Sequence, residues 1–261
     1  MTDDTTPLLV RREGGVVRLV LNRPDKRNAL NAELIAALKT ALREADADAE
    51  VRVVAIEGAG TDFCSGADLS ALRRIAESGA MENLEDVDEL AELFLLPRKM
   101  RKPVVALVRG RALAGGCGLA TACDLVLAAE TAQFGYPEVR IGFVPAMVMA
   151  ILRRNVGEKR AFELIVRGQP IDAAEAERIG LINHVFFDDA FDAEAAAVLE
   201  DLAARSPSAV QLSKRLLYNS DAMGFEAAVR AGADVNVVAR MTDDMKAGVA
   251  RFLERGGGAR D

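Results

Sequence analysis

The chain has little from which covalent or metal chemistry could be built. Its 261 residues hold three cysteines, Cys64, Cys117 and Cys123. That odd number, with no CxxC pair, excludes a disulfide framework and a paired-cysteine zinc site and fits a reducing, cytoplasmic setting. The one histidine, His184, lies in the apolar run GLINHVF, read as the edge of a buried strand, and has no partner for a Ser-His-Asp triad or a histidine metal site. Positive charge is in deficit. Against 33 Lys and Arg stand 40 Asp and Glu, for a net charge of -7 and a pI near 5.0, which leaves no field to hold nucleic acid or an anionic membrane. The longest apolar tract, Ile141 to Leu152, is too short for a bilayer and is interrupted by Gly142 and Pro145, and the opening MTDDTTPLLV is expected to carry no targeting leader. A GK[ST] phosphate loop is missing. The turn in VVAIEGAGTDF matches only Gly58 and Gly60 of a GxGxxG element, with Phe63 at the third position, so a dinucleotide fold is set aside.

What is present is a large apolar fraction, 51% of the residues, in a chain long enough to bury roughly three quarters of its unfolded surface. Runs rich in valine and isoleucine predict strands over Val16–Leu21, Val51–Glu57, Pro103–Val108, Leu125–Ala129 and Leu181–Phe187. A helix is predicted over Ala32–Ala45, with Leu34, Ile35, Leu38 and Leu42 on one face and Asn31 as its N-cap. Strands that each feed a glycine-containing turn imply an α/β fold of repeated β-β-α modules stacked as a spiral. The acidic stretch Glu77–Glu89 has little apolar periodicity and reads as a mobile flap or surface loop. From Asp192 onward only helices follow: Ala193–Arg205, Ser208–Tyr218, Gly224–Arg240 and Asp243–Arg255. The expected division is a core over 1–191 and a helical region over 192–261, with no linker rich in proline, glycine or serine between them.

Four groups of residues invite a chemical reading. GRALAGGCGLATACD places Gly115, Gly116 and Gly118 ahead of an apolar helix, where each glycine costs about 1 kcal/mol relative to alanine unless the chain turns sharply or something approaches its backbone. Cys64 and Ser65, in DFCSGADL, lack a nearby base and read as small residues at a tight turn rather than nucleophiles. Met147 and Met149 read first as core filling. Glu138, in FGYPEVRIGFVP, stands before the alternating apolar residues Val139, Ile141 and Phe143. A carboxylate amid chain that tends to be buried is either paired, most simply with Arg140 or Arg111, or has a raised pKa suited to proton transfer.

LVLNRPDKRNALN, GAGTDFCSGADL and PVVALVRGRALAGGCGLATACDLVLAAETAQFGYPEVRIGFVP resemble, in order and spacing, the crotonase superfamily, the enoyl-CoA hydratase/isomerase family. The likeness runs from about Val16 to Ile182 and continues more weakly into the helical tail. It implies a crotonase-like spiral with a C-terminal helical trimerisation region. It also implies an oxyanion hole formed by the backbone N–H groups of Ala67 and Gly115, with Glu138 as general acid and base. By the same resemblance coenzyme A lies along RPDKRNAL and SGADL. Lys26, Arg27 and Ala29 then border it, as do Ser65, Gly66, Asp68 and Leu69, with Gly116, Gly118 and Met147 nearer the acyl group. Phe252 and Arg255, in GVARFLER, are expected to reach the CoA, of a neighbouring subunit if not of their own. No cofactor is implied, since the acyl-CoA thioester is the substrate.

The sequence departs from this family at two telling places. The usual hydratases hold water between two glutamates, and the position of the first is here Gly118. The glycine-rich PGAGGT element is replaced by PAMVMA. The expected function is enoyl-CoA hydration in fatty-acid or related acyl-CoA catabolism. The alternatives are Δ3-Δ2 enoyl-CoA isomerisation by a single glutamate, or acyl-CoA binding without turnover. A homotrimer or dimer of trimers is expected, because Leu199, Leu202, Leu212, Leu216 and Leu217 would otherwise expose an apolar stripe.

Overall fold

Six strands rich in branched residues form the main sheet. They are β1 (Leu8–Glu13), β2 (Val16–Leu21), β3 (Val53–Gly58), β4 (Val104–Val108), β6 (Leu125–Ala129) and β9 (His184–Phe186), paired in the order β1-β2-β3-β4-β6-β9. A computed structural model describes residues 6–68 and 77–257 of the chain, the side chains of 255–257 apart. β1 and β2 form an antiparallel hairpin in register Leu8↔Leu21, turned at Gly14, whose φ of 55° suits glycine. Every later pairing in this sheet is parallel, with Leu19 opposite Ile56 and Ala106 opposite Val126. Parallel strands covered on both sides are apolar at every position. Accordingly Leu19, Ile56, Ala106 and Ala128 face the larger core, while Val53, Ala55, Val105 and Leu127 face a second one on the opposite side.

A smaller sheet, β5 (Arg111–Leu113), β7 (Gln133–Gly135) and β8 (Ile171–Asp172), stands beside the first in the order β5-β7-β8. Single bridges extend the same layer through Cys64↔Ala112 and Leu30↔Ala67. Each turn of the spiral thus gives one strand to the main sheet, a short extended piece to the second layer, and then a helix. The helices are α1 (Ala32–Ala47), α2 (Ala80–Lys99), α3 (Gly115–Ala122), α4 (Val148–Asn155), α5 (Glu158–Arg167) and α6 (Ala173–Arg178). Asn31 caps α1, accepting from the Leu34 N–H at 3.0 Å. Four helices end the chain: α7 (Phe191–Ala203), α8 (Pro207–Asn219), α9 (Phe225–Met241) and α10 (Asp243–Gly257). No helix among the described residues is long and apolar enough to cross a membrane.

Several sequence expectations are corrected. Much of the acidic stretch expected to be a loop lies in α2, which is clamped to α1 where Lys39 meets Glu89 at 2.6 Å and also Glu92, and where Arg43 meets Glu92. The first terminal helix is not an appendage: Phe191, Ala195 and Leu199 of α7 close the second core against the sheet. Of the leucines expected to form an exposed stripe, only Leu217 is largely exposed; the outward apolar residues of the tail are instead Phe225, Val229, Val237, Val238, Met241 and Phe252. His184 is exposed at the start of the edge strand β9.

Candidate active site

The glycine cluster serves two needs, and the turn before it is made by an alanine. Ala114, at φ 51° and ψ -128°, turns the chain from β5 into α3, held by its N–H to the Gly135 carbonyl at 2.8 Å. A Cβ on Gly116 would overlap the Cys64 carbonyl oxygen, and one on Gly118 would drive into Val148 Cγ1 and lie 3.1 Å from Phe94 Cζ. Those two glycines exist for packing behind the wall of the site. The space beside Gly118 is filled by Val148 and Phe94. Gly115 differs, because a Cβ there would touch only Leu30 Cδ1 at an ordinary 3.6 Å. Its free face looks into a cavity of about 490 Å³. As the first residue of α3 it carries one of the helix's unpaired N–H groups, with no acceptor among the described residues.

The second donor arises from strand geometry. Leu30 donates to the Gly66 carbonyl at 2.7 Å and Asp68 donates to the Leu30 carbonyl at 3.2 Å. A parallel bridge that uses the groups on both sides of Ala67 turns the N–H of Ala67 itself the other way. Ala67 and Gly115 both line the cavity.

Glu138 is carried by a short 3-10 turn, Pro137–Ile141, which ends at Gly142 with φ 75°. This turn replaces the buried alternating strand that Val139, Ile141 and Phe143 suggested, and Ile141 and Phe143 are exposed. Neither expected partner pairs with the carboxylate. Arg111 is held by Asp62 through two bonds of 2.8 and 2.9 Å, and Glu138 Oε2 is buried with no hydrogen-bond partner among the described residues. Burial pushes the Glu138 pKa above its ordinary value, against a weaker opposing bond from its own backbone N–H. The Cys64 and Cys117 thiols, fully buried, are pushed up to about 12 by desolvation and are inert. Between Glu138 and the two amides the cavity wall is apolar, formed in part by Ile35, Val87, Leu90, Phe94, Val144 and Met147. Three of these come from α2, which the sequence reading missed because that helix is charged around most of its surface. Asp86 and Arg140 also reach the lining.

A buried carboxylate oxygen and two amides, none of them with a partner among the described residues and all on one largely apolar cavity, suit proton transfer next to a carbonyl. The comparisons with known proteins give the family. The family model for enoyl-CoA hydratase/isomerase matches residues 11–258. The chain belongs to the enoyl-CoA hydratase/isomerase family. A Thermus thermophilus protein provisionally named enoyl-CoA hydratase is 43% identical over 248 residues, covering 95% of this chain and 98% of the relative. The 2,3-dehydroadipyl-CoA hydratase of Escherichia coli is 34% identical, over 95% of this chain and 96% of its own. Among solved structures, an enoyl-CoA hydratase from Mycobacterium smegmatis superposes with a TM-score of 0.92 at 34% identity, covering 95% of this chain and 96% of that one. The fold is therefore the α/β crotonase spiral with a helical C-terminal region, and the protein is an enzyme of the enoyl-CoA hydratase/isomerase type whose family implies an acyl-CoA substrate.

The residues assigned to coenzyme A by resemblance fall into separate groups. Lys26 and Arg27 are exposed on the turn after Pro24, where Arg27 and Asn28 both adopt positive φ, 50° and 54°. Ser65 joins that turn to the cavity rim through its N–H to the Arg27 carbonyl at 3.0 Å. Ala29 is buried, and Gly66 takes φ 93°. The Asp68 carboxylate binds Arg23 at 2.7 Å. Leu69 lies outside the described residues. Met147 lines the cavity, whereas Met149 is exposed on α4. Phe252 is exposed on α10, the helix that also carries Arg255.

Proposed function

We propose that the protein hydrates 2-enoyl-CoA thioesters through an enolate held by the N–H groups of Ala67 and Gly115, with Glu138 as the sole acid and base. The observation that carries this reading is the buried, partnerless Oε2 of Glu138 on the same cavity as those two amides. The ionised carboxylate takes a proton from water as the water oxygen bonds to C3. The C2–C3 π electrons move toward the thioester, placing negative charge on its oxygen. Protonated Glu138 then returns the proton to C2 and the carbonyl re-forms, so that one water has been added. Two fixed amide donors meet the oxygen where its charge develops, and one such donor is worth about 2.7–4 kcal/mol. Burial helps the returning step, since a raised pKa keeps the carboxylate from holding its charge too well. The names of the relatives support hydration over other reactions of the same enolate.

A second reading is favoured by one observation. The place where a second glutamate would stand is closed by Val148 and Phe94 around Gly118, so that no second carboxylate is there to hold a water. With a 3-enoyl-CoA the same Glu138 would take a proton from C2 and return it to C4, giving the conjugated isomer without water. A panel of 2-enoyl-CoAs and 3-enoyl-CoAs, with products separated by retention time and mass, decides between them. Hydration adds the mass of one water, isomerisation changes retention alone, and CoA binding with no product on any substrate overturns both.

A further inference from the structure

Arg23 occupies a position that the chemistry above does not use. It sits at the entrance to the turn that precedes α1, half-buried with its side chain 18% exposed, and its guanidinium spans two segments that are distant in sequence. One arm donates to the Ala29 carbonyl; the other donates to Asp68 Oδ2 at 2.7 Å, on a carboxylate that is 10% exposed. Ala29 and Asp68 are the residues next to Leu30 and Ala67, the two partners of the isolated bridge. Two backbone bonds among the described residues form that bridge, at 2.7 and 3.2 Å. The main chain of Arg23 is fixed as well. Its N–H donates to Asn28 Oδ1 at 2.9 Å, its carbonyl accepts from the Lys26 and Asn28 N–H groups, and Asn28 Nδ2 reaches the Asp62 carbonyl at 2.7 Å.

A bridge this short is a weak hinge, with the bond from the Ser65 N–H to the Arg27 carbonyl as its backbone neighbour on one side. The direction of the Ala67 N–H depends on the peptide between Gly66 and Ala67, and Gly66, at φ 93°, offers no side chain to restrain it. A planar guanidinium is suited to this task, since its forked donors fix two acceptors at a set distance and angle, which an ammonium cannot do. We infer that Arg23 is a positioning residue for the oxyanion hole: by tying the Ala29 carbonyl to the Asp68 carboxylate it sets the aim of the Ala67 N–H at the thioester oxygen. This rests on the reading of Ala67 as an oxyanion donor. The same clamp joins the aim of that donor to the turn bearing Lys26 and Arg27.

The test compares the wild-type protein with Arg23→Lys, Asp68→Asn and the double variant. Asp68→Asn keeps the backbone bond to Leu30 and the side-chain shape, so it tests the clamp if Arg23→Lys folds poorly. On the best enoyl-CoA, kcat is expected to fall about tenfold to a hundredfold, less than the loss of a whole donor, while KM stays within about threefold. The double variant should lose about as much as the worse single one, because both substitutions cut the same link. A second readout is the absorption of bound 2,4-hexadienoyl-CoA, which shifts to the red when its carbonyl is polarised. The shift should be full in wild type and reduced in the variants, which a purely structural role would leave unchanged in the folded fraction. A folded variant with full shift and full kcat overturns the role of Arg23. Absence of the shift in the wild type instead overturns the oxyanion reading.

Discussion

Gly118 gives the most direct structural prediction. Introducing a Cβ at this position puts it deep inside the contact distance of Val148 Cγ1 and 3.1 Å from Phe94 Cζ. Carbon atoms prefer separations of about 3.5–4.0 Å. Both neighbours are almost wholly buried, Val148 at 3% and Phe94 at 4% exposed, and the one space they border is the cavity itself. Overpacking of a closed core costs about 1–3 kcal/mol, while replacing a mid-helix glycine by alanine returns about 1 kcal/mol of helix propensity. Gly118→Ala should therefore lose up to about 2 kcal/mol, a fall of up to about 8 °C in Tm at about 2–4 °C per kcal/mol for a chain of this size. Gly118→Glu should lose more, because it adds a carboxylate to the same apolar space. Trimming the obstacle in Gly118→Ala/Val148→Ala should cost less than the sum of the two single changes. Thermal unfolding followed by circular dichroism measures all of these. A Gly118→Ala protein more stable than wild type would show helix propensity acting unopposed, and would refute the claim that Val148 and Phe94 close this space.

Other predictions concern charge and assembly. Burial raises the Glu138 pKa above the ordinary 4.5, so the stability tied to its neutral form is present at low pH and lost as pH rises through the raised value. Glu138→Gln should thus gain in Tm relative to wild type at pH 7 and show no gain below about pH 4; an equal difference at both pH values would contradict this. Because the base must be ionised, kcat/KM should fall on the acid side at a pH above 4.5, read from a pH-rate profile. Asp62 is buried and held by Arg111, itself partly exposed, so Asp62→Asn should cost about 1–3 kcal/mol in urea unfolding. The exposed apolar residues of α9 and α10, with Phe225 at 88% and Met241 at 69%, should be covered in a homotrimer or dimer of trimers. Light scattering at micromolar concentration tests this, and a monomeric mass would end the proposal.

The central strands were legible because apolar, mostly branched residues fill most positions of a doubly covered sheet. Val16–Leu21 and Leu125–Ala129 fall where the sequence places them. β1 was not, since LLVRRE is mostly solvent-facing at the sheet edge, and β5, β7 and β8 are too short to show a period. α2 escaped for another reason: its stability comes partly from ion pairs with Lys39 and Arg43, contacts between residues far apart in sequence. Glu138 was recognisable from its neighbours as a carboxylate in trouble, but its isolation was not. The partner that Arg111 chose, Asp62, is visible only after the spiral has brought the two segments together. In the same way the glycines of the GGCG cluster look alike in sequence, and three-dimensional packing alone separates Gly115, open to the cavity, from Gly116 and Gly118, pressed against Cys64 and Val148.

Glu138→Gln tests the central claim most directly. The amide keeps the shape of the side chain but cannot accept a proton from water or from C2. On the best enoyl-CoA, turnover should fall by at least about a hundredfold, as expected when a general acid and base is removed, while thioester affinity stays within a few-fold because the amides that hold the carbonyl remain. Near-wild-type turnover in the folded variant would contradict the account.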